Sequence, residues 1–260
     1  MSDQSAEGQW WCASLAWRGD AYCGWQIQPN GPSIQDAVQN AVAKLCGLEQ
    51  PVLVSSSGRT DAGVHAEMQV VGFCIPVERS PHQVISGINV HTPDDIVCLD
   101  AKPMPADFSP RSWTKNKLYR YRILNRSVPC PFRNGVVWHI KHTLDTTAMS
   151  EALGALVGEH DFSSFRAARC AAQSPVRWIQ AARLNVLDND EVQIEFEGHG
   201  FLRHQVRIMV GTLVEVGSGR VKPEQMETIL VGRDRALGGQ TAPAQGLTLV
   251  SVELLDEPRT

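Results

Sequence analysis

The chain of 260 residues contains a ten-residue polar segment between two apolar runs, and this arrangement strongly constrains the local fold. The segment is Ser57–Ala66, with the sequence SGRTDAGVHA; Val52–Val54 precedes it and Gln69–Phe73 follows it. Short apolar runs of this kind predict β-strands, so the segment is predicted to be a loop between two strands. It holds one carboxylate, Asp61, between two glycines. Because loops on a rigid scaffold often carry function, Asp61 is a candidate catalytic residue.

The residue types around Asp61 allow two interpretations. A glycine-flanked aspartate in a loop is often structural, because its side chain closes an Asx-turn or caps a helix. Arg59, two residues earlier, favours a functional interpretation. An opposite charge nearby favours the ionised carboxylate, which could act as a nucleophile or as a base.

Composition predicts a reduced, cytoplasmic protein with a sizeable core. Hydrophobic residues make up 43% of the chain, and no apolar stretch reaches the roughly 18 residues of a membrane span. Met1–Ser5 has neither a basic start nor an apolar run, so no signal peptide is expected. The seven cysteines are odd in number and irregularly spaced, which favours free thiols in the cytoplasm.

The net charge of −4 conceals a strong segregation of charge along the chain. Residues 108–142, 163–187 and 199–222 together hold sixteen of the 24 Lys and Arg residues but one of the 28 Asp and Glu residues. Their formal charge is +15, against −19 for the remainder. This distribution predicts a cationic face suited to a polyanion, although strand and helix faces can also differ in charge by chance.

The first part of the chain predicts the element order β-α-β-β-α-β. Trp10–Trp17 reads as a strand, and Ser33 is predicted to cap a helix that ends near Gly47. A second helix is expected to begin at Pro81, before a strand at Ile96–Leu99. The Pro-rich residues 103–105 suggest a boundary. We therefore predict an N-terminal domain over residues 1–106 and a C-terminal domain over residues 107–260.

The second part repeats the mixed pattern. Strands are predicted at Lys117–Leu124, at a hairpin around residues 188–190, and at Leu247–Leu254. Helices are predicted over Leu144–Val157, Phe201–Val216 and Pro223–Val231. Two α/β units with mainly antiparallel sheets are the natural architecture for this pattern, which is an α+β class.

Two further groups of residues are candidates for binding. Tyr119 and Tyr121 share one face of the predicted strand while two arginines share the other. Strand tyrosines usually pack in the core, but aromatics between cations can also stack bases and hold phosphates. Arg203 and Arg207, four apart on an apolar helix, need anionic partners, either in a structural ion pair or, for Arg207, with Asp61. The histidines show no spacing typical of a metal site, so no metal is expected.

Six motifs of the chain, taken together, resemble those of the tRNA pseudouridine synthase A (TruA) family. The first is the Asp61 loop itself, which matches the G-R-T-D-x-G-V-H-A signature from Gly58 to Ala66. The others stand in the family's order and have the sequences YCGWQ (22–26), KLYRY (117–121), GEHDFSSFR (158–166), FLRHQVRIMVG (201–211) and APAQGL (242–247). The resemblance covers residues from about 12 to 254.

The resemblance implies a role for each of five residues. Asp61 corresponds to the essential catalytic aspartate and Tyr119 to the tyrosine that stacks on the target base. Arg59 corresponds to an arginine implicated in opening the site for the flipped nucleotide, and Arg207 to the basic partner of the aspartate. Leu247 corresponds to an apolar residue that lines the uracil pocket.

The resemblance also implies the fold, the reaction and the partners. It implies two ferredoxin- or RRM-like domains whose sheets join around an RNA-binding cleft. The reaction is the isomerisation of uridine to pseudouridine at positions 38, 39 and 40 of the tRNA anticodon stem–loop, by a homodimer without cofactor. A non-catalytic RNA-binding module would not need the intact Asp61 loop, and a nucleoside hydrolase would need a water-activating group that the sequence does not display.

Overall fold

The computed structural model describes residues 8–168 and 170–257, which form two compact units. Unit 1 comprises Met1–Lys115 with Leu249–Thr260, and unit 2 comprises Asn116–Thr248. The expectation that there is no signal peptide concerns Met1–Ser5, which lie outside the described residues. Arg169, in the basic segment 163–187, also lies outside them. The domain boundary after residue 106 stays a prediction.

Unit 1 has the predicted order of elements. They are β1 (Gln9–Trp17), α1 (Ile34–Leu45), β2 (Val54–Ser56), β3 (His65–Ile75), α2 (Pro81–His91) and β4 (Ile96–Met104). The strands β4, β1 and β3 lie side by side in that order, and β2 pairs with β3. All of these pairs are antiparallel. Strand β4 ends at Met104, within the proline-containing segment where a boundary was predicted.

Local sequence signals explain both helices of unit 1. The Ser33 side chain accepts a hydrogen bond from the Asp36 amide and caps α1, and Ser80 with Gln83 forms a complete capping box at α2. Apolar residues at helical spacing are fully buried, including Val38 and Val42 of α1. Each such side chain contributes roughly 1.5–3 kcal/mol of burial free energy.

Unit 2 is built from a second set of strands and helices. They are β5 (Thr114–Asn125), β6 (Trp138–Ile140), α3 (Thr146–Gly154), β7 (Gly158–Asp161), β8 (Val176–Leu187), β9 (Glu191–Gly198), α4 (Gln205–Gly217) and α5 (Gln225–Gly232). The last strand, β10 (Leu247–Leu254), begins in unit 2, and its residues from Leu249 onward belong to unit 1. Strands β5, β9, β8 and β7 pair antiparallel in that order, and β6 lies parallel to β5. The predicted α+β class is confirmed.

The start of α4 was predicted wrongly. The helix begins at Gln205 instead of Phe201, because His204 has a left-handed backbone (φ 61°) that a helix cannot contain. Arg203 therefore precedes the helix, and it does not share a helix face with Arg207. The helix predicted over residues 144–157 is shorter, and the strands β6 and β7 were not predicted.

In the part of the chain that the structure describes, no helix is both long and apolar enough to cross a membrane.

Candidate functional site

The Asp61 loop connects β2 to β3, as the sequence predicts, and buried polar contacts fix its first residues. The Ser57 amide donates to the carbonyl oxygen of Val70 at 2.9 Å, and the Ser57 hydroxyl donates to the side-chain oxygen of Gln69. The side-chain nitrogen Nε2 of Gln69 in turn donates to the carbonyl oxygen of Gly58 at 2.8 Å. Gln69 is 1% exposed, so this one side chain holds the start of the loop from inside the unit.

Asp61 itself begins a tight turn. Its carbonyl oxygen accepts a hydrogen bond from the Val64 amide at 3.1 Å, which closes a four-residue turn. Gly63 has φ +78° at the third position, the value that a type II turn requires there and that glycine adopts readily. Asp61 is half-buried and Arg59 is exposed. The turn therefore places the carboxylate at the surface of unit 1 on a defined backbone.

The segment Tyr22–Gln26 packs directly against the backbone of this turn. The Trp25 amide donates to the carbonyl oxygen of Thr60 at 3.2 Å, and the Gly63 amide donates to that of Tyr22 at 3.3 Å. Gly24 has φ +94°, and a β-carbon there would lie 2.6 Å from the Thr60 oxygen and 2.9 Å from the carbonyl carbon of Asp61. Only glycine permits so close an approach of two backbones.

A second contact holds the end of the loop. The indole nitrogen of Trp17 donates to the carbonyl oxygen of Val64 at 3.1 Å, and the Gly19 amide donates to Nδ1 of His65 at 2.9 Å. A β-carbon at Gly19 would lie 2.3 Å from the Val64 oxygen. Both sides of the Asp61 turn are thus supported by the end of β1 and by the chain that follows it, and the carboxylate sits on a preorganised backbone.

The candidate residues of unit 2 start with Tyr119 on β5. The predicted alternation is correct: Tyr119 is 9% exposed, and Tyr121 is completely buried on the same face. The Tyr119 ring meets the ring of Phe201 edge to face, with centroids 5.2 Å apart. This contact fixes the orientation of the Tyr119 ring.

Arg207 and Tyr121 hold one short segment between them. The Nε atom of Arg207 donates to the carbonyl oxygen of Ala242 at 2.7 Å. The Ala242 amide donates to the backbone carbonyl oxygen of Arg207 at 3.0 Å. The Tyr121 hydroxyl donates to the carbonyl oxygen of Pro243 at 2.7 Å. Burial raises the pKa of Tyr121 above its usual value, while the charge of nearby Arg207 opposes that shift.

Leu247 follows this segment as the first residue of β10 and is 5% exposed. Just before it, a β-carbon at Gly246 would lie 2.6 Å from the Tyr121 ring, so the backbone packs against that ring. Tyr121 therefore connects three of the candidates: it neighbours Tyr119 on β5, lies near Arg207 and supports the approach to Leu247. Asp61 and Arg59 belong to unit 1, and these three residues belong to unit 2.

Two arginines that the charge pattern assigned to a cationic face form ion pairs with glutamates of the neighbouring strand. Arg120 and Arg122 lie on the face of β5 away from the tyrosines, and they pair with Glu195 and Glu191 of β9 at 2.9 Å and 2.7 Å. Burial would raise the pKa of Glu191, but hydrogen bonds from Arg122 and Gln193 and the nearby arginine charges keep that pKa below its usual value. These arginines neutralise buried and half-buried acids of the same sheet, which sequence order could not reveal.

Asp161, in the motif of residues 158–166, has a structural role. Asp161 accepts hydrogen bonds from the Ser163 amide and hydroxyl at 2.9 Å and 2.6 Å, and Arg233 lies 3.4 Å from its carboxylate. Burial alone would raise the pKa of Asp161, but these contacts lower it. Over residues 8–168 and 170–257, no group of three potential metal ligands is found.

Sequence reasoning missed four supporting residues of the candidate site. They are Gly24, Gln69, Tyr121 as an anchor for residues 242–246, and Phe201. Gln69 could have been noticed as a polar residue inside an apolar strand. The others stand inside motifs that carried the resemblance, but their contacts join segments far apart in sequence.

Comparison with known proteins identifies relatives over most of the chain. A family model described as tRNA pseudouridine synthase matches residues 13–111 and 152–253. These ranges contain four of the five candidate residues, and Tyr119 lies between them. The tRNA pseudouridine synthase A of Myxococcus xanthus is 42% identical over 245 residues, which are 94% of this chain and 92% of that protein.

Two further relatives are similarly close. The protein of the same name from Acidiphilium cryptum is 44% identical over 251 residues, with 95% of this chain and 97% of that protein covered. The one from Syntrophotalea carbinolica is 45% identical over 239 residues, with 92% and 93% covered.

Proposed function

The chain belongs to the tRNA pseudouridine synthase A family, and from this we propose that it converts uridine to pseudouridine at positions 38, 39 and 40 of the tRNA anticodon stem–loop, with Asp61 as the catalytic residue. The main observation in favour of a catalytic Asp61 is the fixed backbone beneath it. The half-buried carboxylate lies on a turn whose backbone is held by contacts with Gln69, Gly24 and Trp17. Catalytic groups gain most when their position is fixed before the substrate arrives.

The reaction breaks the N1–C1′ bond of uridine and joins C1′ to C5 of the same base. Product and substrate contain the same atoms, so the reaction consumes no redox carrier and no nucleoside triphosphate. The ionised Asp61 acts at the sugar, either by attacking C1′ or by taking a proton from the ribose. After rejoining, a base removes the proton from C5, and the Tyr119 oxygen is the candidate for this step.

The target base must leave its stack before it can react, at a free-energy cost of a few kcal/mol. Stacking against Tyr119 can return about 1–3 kcal/mol of this cost. The Phe201 contact orients the Tyr119 ring for that purpose. Arg59, exposed beside the catalytic turn, is proposed to assist entry of the flipped nucleotide.

Arg207 and Leu247 complete the proposed site. Arg207 is proposed as the cationic partner that orients the Asp61 carboxylate, and Leu247 as an apolar wall of the uracil pocket. Both positions depend on the segment that Arg207 and Tyr121 hold through Ala242 and Pro243. We further propose that the enzyme works in the cytoplasm as a homodimer, without a metal or small-molecule cofactor.

The direct test uses an unmodified anticodon stem–loop carrying tritium at C5 of its uracils. Formation of pseudouridine replaces the hydrogen at C5, so the enzyme should release tritium into water without releasing free uracil. Release of uracil would support a nucleoside hydrolase instead. Binding without either product would support a non-catalytic RNA-binding module. Stem–loops with a single uridine at 38, 39 or 40 then test the proposed positions.

Replacing Tyr119 with phenylalanine should separate stacking from proton transfer. The ring and its contact with Phe201 remain, so KM should change little. If the oxygen accepts the C5 proton, kcat should fall about 100-fold or more, the usual contribution of a positioned acid or base. Tyr119→Leu should also weaken stem–loop binding. Equal kcat values for wild type and Tyr119→Phe would limit Tyr119 to stacking.

Salt dependence should identify which cations contact phosphate. The exposed Arg203 has no ion-pair partner in the described part of the chain, whereas Arg220 pairs with Glu215 at 2.5 Å. Arg203→Gln should reduce the slope of log affinity against log salt by about 1, and Arg220→Gln should leave it unchanged. Titrations of tRNA at several salt concentrations measure both slopes. A wild-type affinity that does not respond to salt would contradict phosphate recognition.

A further inference from the structure

An open groove on the helical side of unit 1 is lined by basic side chains. It has a volume of about 620 Å³ and lies where the C-terminal end of α1 meets the exposed face of α2. Its described lining includes Lys44, Arg79, His82 and His91, and none of the lining residues is an aspartate or a glutamate. The described residues of unit 1 hold seven Lys and Arg against thirteen Asp and Glu, so the groove is opposite in sign to its own unit.

Close packing of the two helices fixes the shape of the groove. A β-carbon at Gly87 of α2 would lie 2.3 Å from the Cδ1 atom of Leu45, so the helices approach each other closely there. The Arg79 guanidinium donates to the backbone carbonyl oxygen of Leu45 at 3.4 Å and to that of Glu78 at 3.0 Å. Because these bonds hold the guanidinium in place before a ligand arrives, binding through it costs less conformational entropy.

Helix stability explains only part of this charge. Lys44 and His91 lie in the last turns of α1 and α2, where a positive charge interacts favourably with the helix dipole. His82 lies in the first turn of α2, where that interaction is absent. Within the described part of the chain, the side chains of these three residues have no hydrogen-bond or ion-pair partner, so their donors are available to a ligand.

The chemistry of the lining favours a chain of phosphate groups. The Lys44 ammonium and the Arg79 guanidinium are charged donors, which form the stronger hydrogen bonds to phosphate oxygens. The rings of His82 and His91 and the hydroxyl of Ser86 add further donors, since even a neutral imidazole carries one N–H. A groove that stays open along the surface can follow a nucleic-acid backbone, whereas sites for small ligands enclose most of the ligand.

The groove lies on the same unit as Asp61, at the far end of a helix that begins beside the catalytic turn. The Ile34 amide, at the start of α1, donates at 3.1 Å to the carbonyl oxygen of Gly24, which packs against the Asp61 turn. Lys44 is ten residues further along the helix, or about 15 Å at the α-helical rise per residue. The groove is therefore placed to contact a part of the substrate RNA away from the flipped nucleotide.

We propose that this α1–α2 groove binds the sugar–phosphate backbone of the same tRNA whose uridine lies at Asp61. The proposal rests on the tRNA substrate proposed above and adds a second contact surface outside the catalytic site. Lys44 and Arg79 each neutralise a phosphate, and contacts of this kind carry no base information. The groove therefore contributes affinity for the tRNA and no preference for sequence.

The test compares tRNA binding by the wild type, Lys44→Gln and Lys44→Gln/Arg79→Gln over a range of salt concentrations. The slope of log affinity against log salt should fall by about 1 in the single variant and by about 2 in the double variant. The control is Lys102→Gln, at an exposed lysine of β4 outside the groove, which should keep the wild-type slope. Because the Lys44 side chain is exposed and has no partner, Lys44→Gln should also melt at the wild-type temperature, even if the loss of the Arg79 bonds destabilises the double variant.

Tritium release tests whether the RNA in the groove is the substrate. In Lys44→Gln, kcat/KM should fall by the same factor as the tRNA affinity, while kcat at saturating tRNA stays unchanged. Weaker binding with an unchanged kcat/KM would overturn the proposal, because the groove would then hold a different RNA.

Two further results would also overturn the proposal. One is an equal salt slope in the wild type and the double variant. The other is binding of inorganic phosphate that is lost in Lys44→Gln while the RNA slope stays unchanged, which would assign the groove to a small anion. A wild type that binds tRNA without releasing tritium would instead refute the proposed reaction, and the salt slopes would still decide the role of the groove.

Discussion

The Asp61→Asn variant should lose at least about 1,000-fold in kcat/KM for tritium release, while its affinity for tRNA stays within a few-fold of the wild type. Asparagine has nearly the same shape but can neither attack C1′ nor accept a proton at neutral pH. A positioned acid or base typically contributes about 100- to 10,000-fold, and removal of a nucleophile abolishes its covalent route altogether. The hydrogen bonds described for the turn use its backbone, including the one from Val64 to the Asp61 carbonyl oxygen, so the loop should remain folded.

The matched control is Asp107→Asn, the same chemical change at an exposed carboxylate of unit 1. It should retain wild-type turnover. Single-turnover assays with excess enzyme separate chemistry from binding, and filter binding gives the affinity. If Asp61→Asn turns over as fast as Asp107→Asn, Asp61 has no catalytic role and the functional assignment of the loop is wrong.

Sequence reasoning succeeded where the determining interactions are local. The Ser33 and Ser80 caps act on amides three residues away, and both helices begin where those caps predict. The alternation on β5 likewise depends only on neighbouring residues, and it separated Tyr119 and Tyr121 from the two arginines correctly.

It failed where a distant segment determines the outcome. The charges of Arg120 and Arg122 were assigned to a cationic face, but β9, about seventy residues later, supplies their carboxylate partners. The start of α4 was missed because the left-handed backbone of His204 carries no composition signal. Asp61 could be selected from its loop and from the resemblance, whereas the contacts that hold the Asp61 turn itself come from residues about forty positions earlier, between Trp17 and Trp25.

Gly24→Ala should test whether this distant support positions the carboxylate. A methyl group there would collide with the backbone of Thr60 and Asp61, and alanine would also be strained at φ +94°. The backbone strain costs about 1–2 kcal/mol, and displacement of packed neighbours adds roughly 1–3 kcal/mol. In the molecules that remain folded, a shift of the turn by a fraction of an ångström up to 1 Å should lower kcat/KM by up to about 100-fold.

Gly47→Ala separates the collision from the strain. Gly47 also has a positive φ, +68°, but a β-carbon there meets no atom within 4 Å. This variant should lose only the strain energy of about 1–2 kcal/mol and keep wild-type activity per folded molecule. Urea unfolding measures the stability of both variants, and tritium release well below their melting temperatures measures the activity. Both substitutions place alanine at a positive φ, but only Gly24→Ala collides with the Asp61 turn. A selective loss of activity in Gly24→Ala would therefore support positioning through that contact, and equal activity would mean that this contact does not position the carboxylate.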